Sequence, residues 1–308
     1  MEDIRKIIVT GSSGTIGTAL CERLMQEDYE VVGVDIKHNK WNEVVDKLTT
    51  ICDLRDRASF KALPAGFDLL IHLAANARVY ELVKEPLLAR DNFEMVFNVL
   101  EFCRLGNIPR FIFASSREVY GNSPKVLHKE DEISIEGCES PYSATKMAGE
   151  ALVTAYHQCY GIDYVIIRFS NVYGKYDDSD RVVPLFIEQA RQGKDLVVFG
   201  RDKMLDFTYI TDSIKGIVKS IKNFEGAQGN TFNIAYGEGV SILELAKEIQ
   251  DRTGAGGNLI VKDNRTGEVV RFIADISKAK RLLDYQPEVA IAEGIEKTLS
   301  YYRSLQAQ

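Results

Sequence analysis

Tyr142 and Lys146 stand four residues apart in Ser140-Pro141-Tyr142-Ser143-Ala144-Thr145-Lys146. On a helix this spacing puts both side chains on one face, and Pro141 is compatible with the first turn. A phenol titrates near about 10, so it is a poor base at neutral pH. A neighbouring ammonium, with any further positive charge brought by a ligand, favours phenolate and makes Tyr142 a usable proton acceptor. Taken alone, the pair also describes an ordinary amphipathic surface helix.

A second pattern supplies a ligand of that kind. The apolar run Ile7-Ile8-Val9 leads into Thr10-Gly11-Ser12-Ser13-Gly14-Thr15-Ile16-Gly17, with glycines three apart. A strand turning sharply into a helix leaves backbone N–H groups and the helix dipole facing one spot, which suits a pyrophosphate. A plain glycine-rich turn is the alternative. Val31-Val32-Gly33-Val34 then ends in Asp35, at about the separation expected of a ribose-binding acid. A carboxylate there accepts from two ribose hydroxyls and repels a 2′-phosphate; otherwise it is a strand-end cap. Lys37 is close, but no Arg directly follows Asp35, so NAD is expected rather than NADP. The positive nicotinamide ring would add to Lys146 in activating Tyr142.

Further segments follow in order: Asp53-Leu54, His72-Leu73-Ala74-Ala75, Asn92, Ser115-Ser116 before Val119-Tyr120-Gly121, and then Tyr142 and Lys146. Arg168-Phe169-Ser170-Asn171-Val172-Tyr173-Gly174, Asp206-Phe207-Thr208-Tyr209-Ile210 and Arg265-x-Gly267-Glu268-Val269 complete the series. With these the chain resembles the extended short-chain dehydrogenase/reductases, specifically the NAD-dependent nucleotide-sugar epimerase/dehydratase family, in its UDP-glucose 4-epimerase-like branch. The resemblance spans almost the whole length.

It implies that a sugar carbon, usually C4, is oxidised by hydride transfer to NAD, with Tyr142 taking the hydroxyl proton. Ser116 matches the family's Ser/Thr that bonds this hydroxyl, and Lys146 also holds the nicotinamide ribose; these three are the expected catalytic residues. The expected cofactor contacts are Gly11, Ser13, Gly14, Thr15, Ile16, Gly17, Asp35, Asp53, Leu54, Leu73, Ala74, Ala75, Asn92, Tyr142, Lys146 and Phe169. The expected substrate contacts are Ser116, Arg117, Glu118, Asn171, Arg181, Val182, Arg265 and Glu268. No metal is expected.

The chain departs from the family twice. Many members carry Arg just before the Asp-Phe of the later segment, where it grips phosphate; here Leu205 precedes Asp206. Arg265, Arg181 or Lys203 must then meet the phosphates. Simple 4-epimerases also have small or neutral residues where Arg117 and Glu118 follow Ser116. Glu118 aligns with the Glu that 4,6-dehydratases and uronate decarboxylases have there. Guanidinium, with a pKa above about 12, is a poor general acid but suits a carboxylate or carbonyl oxygen. The two residues can equally pair with each other.

A UDP-sugar 4-epimerase acting on UDP-glucose and UDP-galactose through a 4-keto intermediate is therefore the expectation. UDP-glucuronate 4-epimerase, and dehydratase or decarboxylase chemistry through Glu118, are the alternatives. A catalytically inactive NAD-binding regulator is a reading from another class, against which the presence of Ser116, Tyr142 and Lys146 argues.

The 308 residues are 45% hydrophobic and 27% charged, with a formal net charge of −7. This composition fits an ordinary globular protein with a large core and offers no basic field for nucleic acid. No membrane span or secretory signal is expected, and five scattered cysteines read as free thiols in a reducing cytoplasm. Alternating apolar runs and helical patterns predict an α/β, Rossmann-type doubly wound parallel sheet with a smaller α/β substrate-binding lobe. Strands are expected at 6–10, 30–35, 47–52, 69–73, 110–114 and 164–169, and helices at 15–27, 89–105 and 143–160. Residues 1–170 are expected to form the NAD-binding domain, with 206–235 returning to it, and 171–308 mainly the substrate lobe. Further helices are expected at 183–192, 241–253 and 291–302. Apolar residues on more than one face of 89–105 and 143–160, with the family's four-helix interface, point to a homodimer.

Overall fold

Strands buried on both faces need apolar residues at every position, and the first strand has them: Ile7, Ile8 and Val9 have no exposed surface. It is one of seven parallel strands in the computed structural model, which describes residues 3–254 and 256–306. We number them β1 (Lys6–Thr10), β2 (Glu30–Asp35), β3 (Thr49–Ile51), β4 (Leu69–His72), β5 (Arg110–Ser116), β6 (Asp163–Phe169) and β7 (Asn230–Ile234). Their order across the sheet is β7-β6-β5-β4-β1-β2-β3. The order reverses between β1 and β4, which opens a crevice at their carboxyl ends where open α/β sheets bind ligands. The sheet is the doubly wound, Rossmann-type one expected.

One expected strand is shortened. Within 47–52, Lys47 and Leu48 instead close a short helix, Glu43–Leu48, and only Thr49–Ile51 pairs with β2. The reason is local: the Asn42 side chain accepts from the amides of Val44 and Val45, starting a helix that the strand pattern did not foresee.

Two long helices lie side by side over the sheet, Leu87–Leu105 and Pro141–Tyr160. The second begins where Ser140 Oγ accepts from Ser143 N at 3.1 Å and Pro141 occupies the first turn. It ends at Gly161, whose φ of +71° allows the left-handed cap.

A second sheet combines Gly239–Ser241, Met204–Tyr209, Arg271–Ala274 and Leu127–His128, with Asn171–Tyr173 paired to Met204–Tyr209. A two-stranded sheet, Leu196–Phe199 with Leu259–Lys262, lies beside the helices Val182–Arg191 and Ile242–Thr253. Of residues 206–235, Asp206–Tyr209 belong to the second sheet, while the helix Ile210–Lys222 packs on Thr15–Gln26 and β7 joins the large sheet. One contiguous core runs from Ile7 and Val9 through Phe207 and Ile210 to Leu245 and Leu299. Among the described residues no helix is long and apolar enough to cross a membrane, and the five cysteines are free thiols.

Candidate active site

The glycine turn is built for close approach. Gly11 has φ +75°, and its amide donates to Val34 O at 2.7 Å. A Cβ on Gly11 would come within 2.8 Å of Ala74 N, and one on Gly17 within 1.9 Å of Gly11 O. Helix Thr15–Gln26 starts at Gly14 without a side-chain cap, so its positive end is left for an anion. Across the turn, Asp35 Oδ2 accepts from Ser13 N and Oδ1 from Lys37 N, each at 3.0 Å. Those two amides fix the carboxylate at the carboxyl end of β2.

This turn forms one wall of a cleft of ≈ 890 Å³. Gly11, Ser13, Gly14, Thr15, Ile16, Gly17, Asp35, Leu54, Leu73, Ala74, Ala75 and Phe169 all line it. Two expected cofactor contacts do not. The Asp53 carboxylate is gripped by Arg55, with Nη2 to Oδ2 at 2.7 Å, and this guanidinium also reaches Asp91. Asn92 is buried under the cleft wall, exchanging hydrogen bonds with the backbone N and O of Asn76 at 2.7 and 2.9 Å. Its amide shapes a lining residue instead of lining the cleft itself.

Helix Pro141–Tyr160 and β5 bring Tyr142, Lys146 and Ser116 together on the opposite side. The pKa of the Tyr142 phenol is pushed up to about 12, chiefly by burial. The neighbouring Ser116 hydroxyl and the charges of Arg181 and Arg117 oppose that rise, whereas Glu118 adds to it. Lys146 Nζ donates to Ala114 O at 2.7 Å, and burial lowers its pKa to about 8 against the opposing charge of Glu150. The expected depression of Tyr142 by Lys146 is thus not found in the chain itself: desolvation outweighs the neighbouring positive charges.

Behind Lys146 is a buried network that the sequence reading did not single out. Arg168 holds Glu150 through two bonds, at 2.9 and 2.6 Å, and Ser115 Oγ donates to the same carboxylate at 2.5 Å. Tyr120 joins Arg168 to Asn233 of β7.

The far wall carries the expected substrate contacts. Arg117 and Glu118 pair at 2.7 Å, and Arg117 Nε donates to Asn171 Oδ1 at 3.3 Å. Arg181, just before Val182 at the start of a helix, lies 3.8 Å from Asp177. Arg265 stacks 4.0 Å from the Phe199 ring, and Glu268 binds Lys203 at 2.5 Å. Leu205 is a buried strand residue, so Lys203 is the cation nearest the departure in sequence. Arg78 was missed. It follows the His72-Leu73-Ala74-Ala75 strand end, pairs with Asp180 and feels the charges of Arg181 and Arg265, which with burial lower its pKa. An Arg just after a strand that ends at the cleft is the signal that could have found it. Among the described residues no cluster of three His, Cys, Asp or Glu can hold a metal.

Sheet order, glycine turn and the Ser-Tyr-Lys constellation define a dinucleotide-dependent oxidoreductase-type fold. The chain belongs to the NAD dependent epimerase/dehydratase family, whose profile matches residues 7–235, and NAD is its cofactor. An uncharacterized UDP-glucose epimerase of Bacillus subtilis is 34% identical, over 97% of this chain and 98% of that protein. Two solved structures are similar. A UDP-glucose 4-epimerase from Thermotoga maritima with UDP-glucose has a TM-score of 0.88 at 29% identity, covering 98% of this chain and 99% of that one. A UDP-glucuronic acid 4-epimerase from Bacillus cereus with UDP-glucuronic acid and NAD has a TM-score of 0.87 at 29% identity, covering 97% and 99%.

Proposed function

We propose that this protein is a UDP-sugar 4-epimerase that interconverts UDP-glucose and UDP-galactose through a 4-keto sugar. The observation that carries this reading is the meeting of Ser116, Tyr142 and Lys146 on one side of the cleft between the glycine turn and the cationic far wall. The space that Gly11 and Gly17 leave open and the fixed Asp35 carboxylate fit NAD. The helix start at Thr15–Gly17 would face its pyrophosphate, and Asp35 its adenine ribose. When bound, NAD supplies reversible hydride acceptance. With the positive charge of bound NAD added to that of Lys146 to favour phenolate, Tyr142 would take the proton of the 4-hydroxyl and later return it, while Ser116 holds that oxygen in place. Lys146, tied to Ala114 O, keeps a positive charge beside the phenol and meets the nicotinamide ribose. Arg181, Arg265 and Lys203, with Arg78 beside them, supply positive charge for the UDP diphosphate.

A second copy of the chain is proposed to cover the outer faces of Leu87–Leu105 and Pro141–Tyr160, where Phe93, Phe97, Leu105 and Tyr160 are exposed. Sedimentation reads the resulting dimer. The test of the reaction is incubation with a panel of UDP-, GDP- and dTDP-sugars, followed by mass and NMR analysis. Epimerisation of UDP-glucose at C4 with unchanged mass is expected. Loss of water or of carbon dioxide would replace this reading with dehydratase or decarboxylase chemistry.

A further inference from the structure

Tyr142, Lys146 and Glu150 follow one another at four-residue intervals along one face of the helix Pro141–Tyr160. The first two have parts in the proposed reaction; the third has none, and it does not line the cleft. Glu150 is 7% exposed, and an acid so deep needs firm partners. It has three. Arg168 Nε and Ser115 Oγ donate to Oε1 at 2.9 and 2.5 Å, and Arg168 Nη2 donates to Oε2 at 2.6 Å. Ser115 and Arg168 are neighbours in register on β5 and β6, and Asn233 is the next across on β7. Tyr120 donates to Asn233 Oδ1 and accepts from Arg168 Nη1, which also donates to Glu130 O. The guanidinium is thus fixed from the sheet, and it fixes the carboxylate in turn.

The Lys146 ammonium donates to Ala114 O, a neutral acceptor, with the Phe113 and Tyr142 rings 5.1 and 5.8 Å away. Burial discharges such a group unless a negative charge stands near. On its own helix it has Tyr142 and Glu150. His72, at the end of β4, is buried and neutral, its pKa lowered to about 3 by burial and by Lys146 itself. Arg168 of β6 is turned to Glu150. The helices Val79–Lys84 and Leu87–Leu105 bring Leu82 and Ala89 onto Tyr142, and Arg117, Glu118 and Arg181 act on that phenol. Glu150 is the charge that opposes the effect of burial on Lys146.

We propose that Glu150 is a positioning residue: clamped by Arg168 and Ser115, it keeps Lys146 an ammonium and holds the helix that carries it against the Ala114–Ser116 end of β5. It acts through Lys146 and touches neither sugar nor dinucleotide. The reaction it serves rests on the 4-epimerase reading; its hold on Lys146 does not.

The experiment compares wild type, Glu150→Gln and Glu150→Asp by kcat and KM for UDP-glucose across pH, and by denaturant midpoints across the same range. Losing the Glu150 charge lowers the Lys146 pKa further, so the alkaline limb of kcat should move down by about one unit in Glu150→Gln. KM should stay within about twofold, because Glu150 does not meet the substrate. Glu150→Asp keeps the charge on a shorter arm and should lower kcat without moving the limb. A purely structural role would lower kcat alike at every pH.

The midpoints read the same hold without turnover. Lys146 has a folded pKa below its unfolded one, so stability rises with pH between the two. In Glu150→Gln that rise should begin about one unit lower than in wild type, and adding Lys146→Met should abolish it. Glutamine leaves Arg168 without its acid, so the double variant Glu150→Met with Arg168→Met is measured beside it; replacing both members of a buried pair is often near neutral for folding. Its shifts should have the same sign. A stability rise that begins at its wild-type pH in these variants, or an alkaline limb that does not move, would overturn the proposal. If wild type leaves C4 of UDP-glucose unchanged, the 4-epimerase reading fails, and the midpoints still decide what Glu150 does.

Discussion

Lys146 Nζ lies 2.7 Å from the carbonyl oxygen of Ala114 and 5.8 Å from the centre of the Tyr142 ring. The ammonium is therefore anchored to β5 and acts on the phenol through space. In the proposed reaction this divides the labour between them: Tyr142 would meet the proton, and Lys146 would hold charge in a fixed place.

Replacing Tyr142 by Phe removes the phenolic oxygen and little volume. Turnover should fall by about 10²–10⁴-fold or more, the usual contribution of a positioned acid or base, while NAD retention stays near wild type. Steady-state rates with UDP-glucose and the NAD content of the purified protein check both halves. A Phe variant with near-normal turnover would remove Tyr142 from the reaction.

The buried Lys146 makes stability depend on pH in a defined direction. Its pKa is lowered from 10.5 to about 8, so between those values the unfolded chain binds a proton that the folded chain has released. Stability therefore rises as pH goes from about 8 to 10.5, and below about 8 the cost of burying the charge is felt in full. Denaturant midpoints of wild type relative to Lys146→Met should climb across that window. A difference that stays flat would show that Lys146 titrates at its ordinary value. At neutral pH the same variant should lose activity and NAD together.

Asp35 should set the choice of dinucleotide. With Ser13 N and Lys37 N already holding it, the carboxylate is fixed where a 2′-phosphate would be repelled. Asp35→Ala should weaken NAD and narrow its advantage over NADP, as read by titration of both. Wild type binding the two equally well would show the assignment to be wrong.

The three glycines of the turn should not be equivalent. A methyl at Gly17 meets Gly11 O at 1.9 Å, whereas one at Gly14 stays 3.3 Å from the same atom. Gly17→Ala should cost far more melting temperature and NAD affinity than Gly14→Ala. Thermal melts with and without NAD give the ranking.

The sheet was readable because its inner strands, such as β1, β4 and β5, are buried on both faces and appear as apolar runs. The helix with Tyr142 was readable from a local spacing and a proline. What escaped depends on partners distant in sequence or on local capping. Leu127–His128 is a strand only because Arg271–Ala274 lies beside it. Helix Glu43–Leu48 exists because one Asn side chain caps it. At the site, the Arg55 guanidinium across Asp53 and the Asn76 backbone held by Asn92 are partners that the sequence pattern does not announce. Arg117 and Glu118 drew notice by type, with mutual pairing as one alternative, and the structure shows that pair at 2.7 Å with Asn171 bound to Arg117.

The pairing of Leu127–His128 with Arg271–Ala274, and of β6 with β7, has a temporal side. During synthesis the first half emerges with one sheet edge unpaired and a short segment waiting for a partner more than a hundred residues downstream. Such delayed contacts slow the search for the native state and expose a sticky edge meanwhile. A break at residue 170 would therefore yield two fragments that each lack a piece held by the other. Produced together, they should recover NAD binding only by reassociating; produced alone, the first should aggregate.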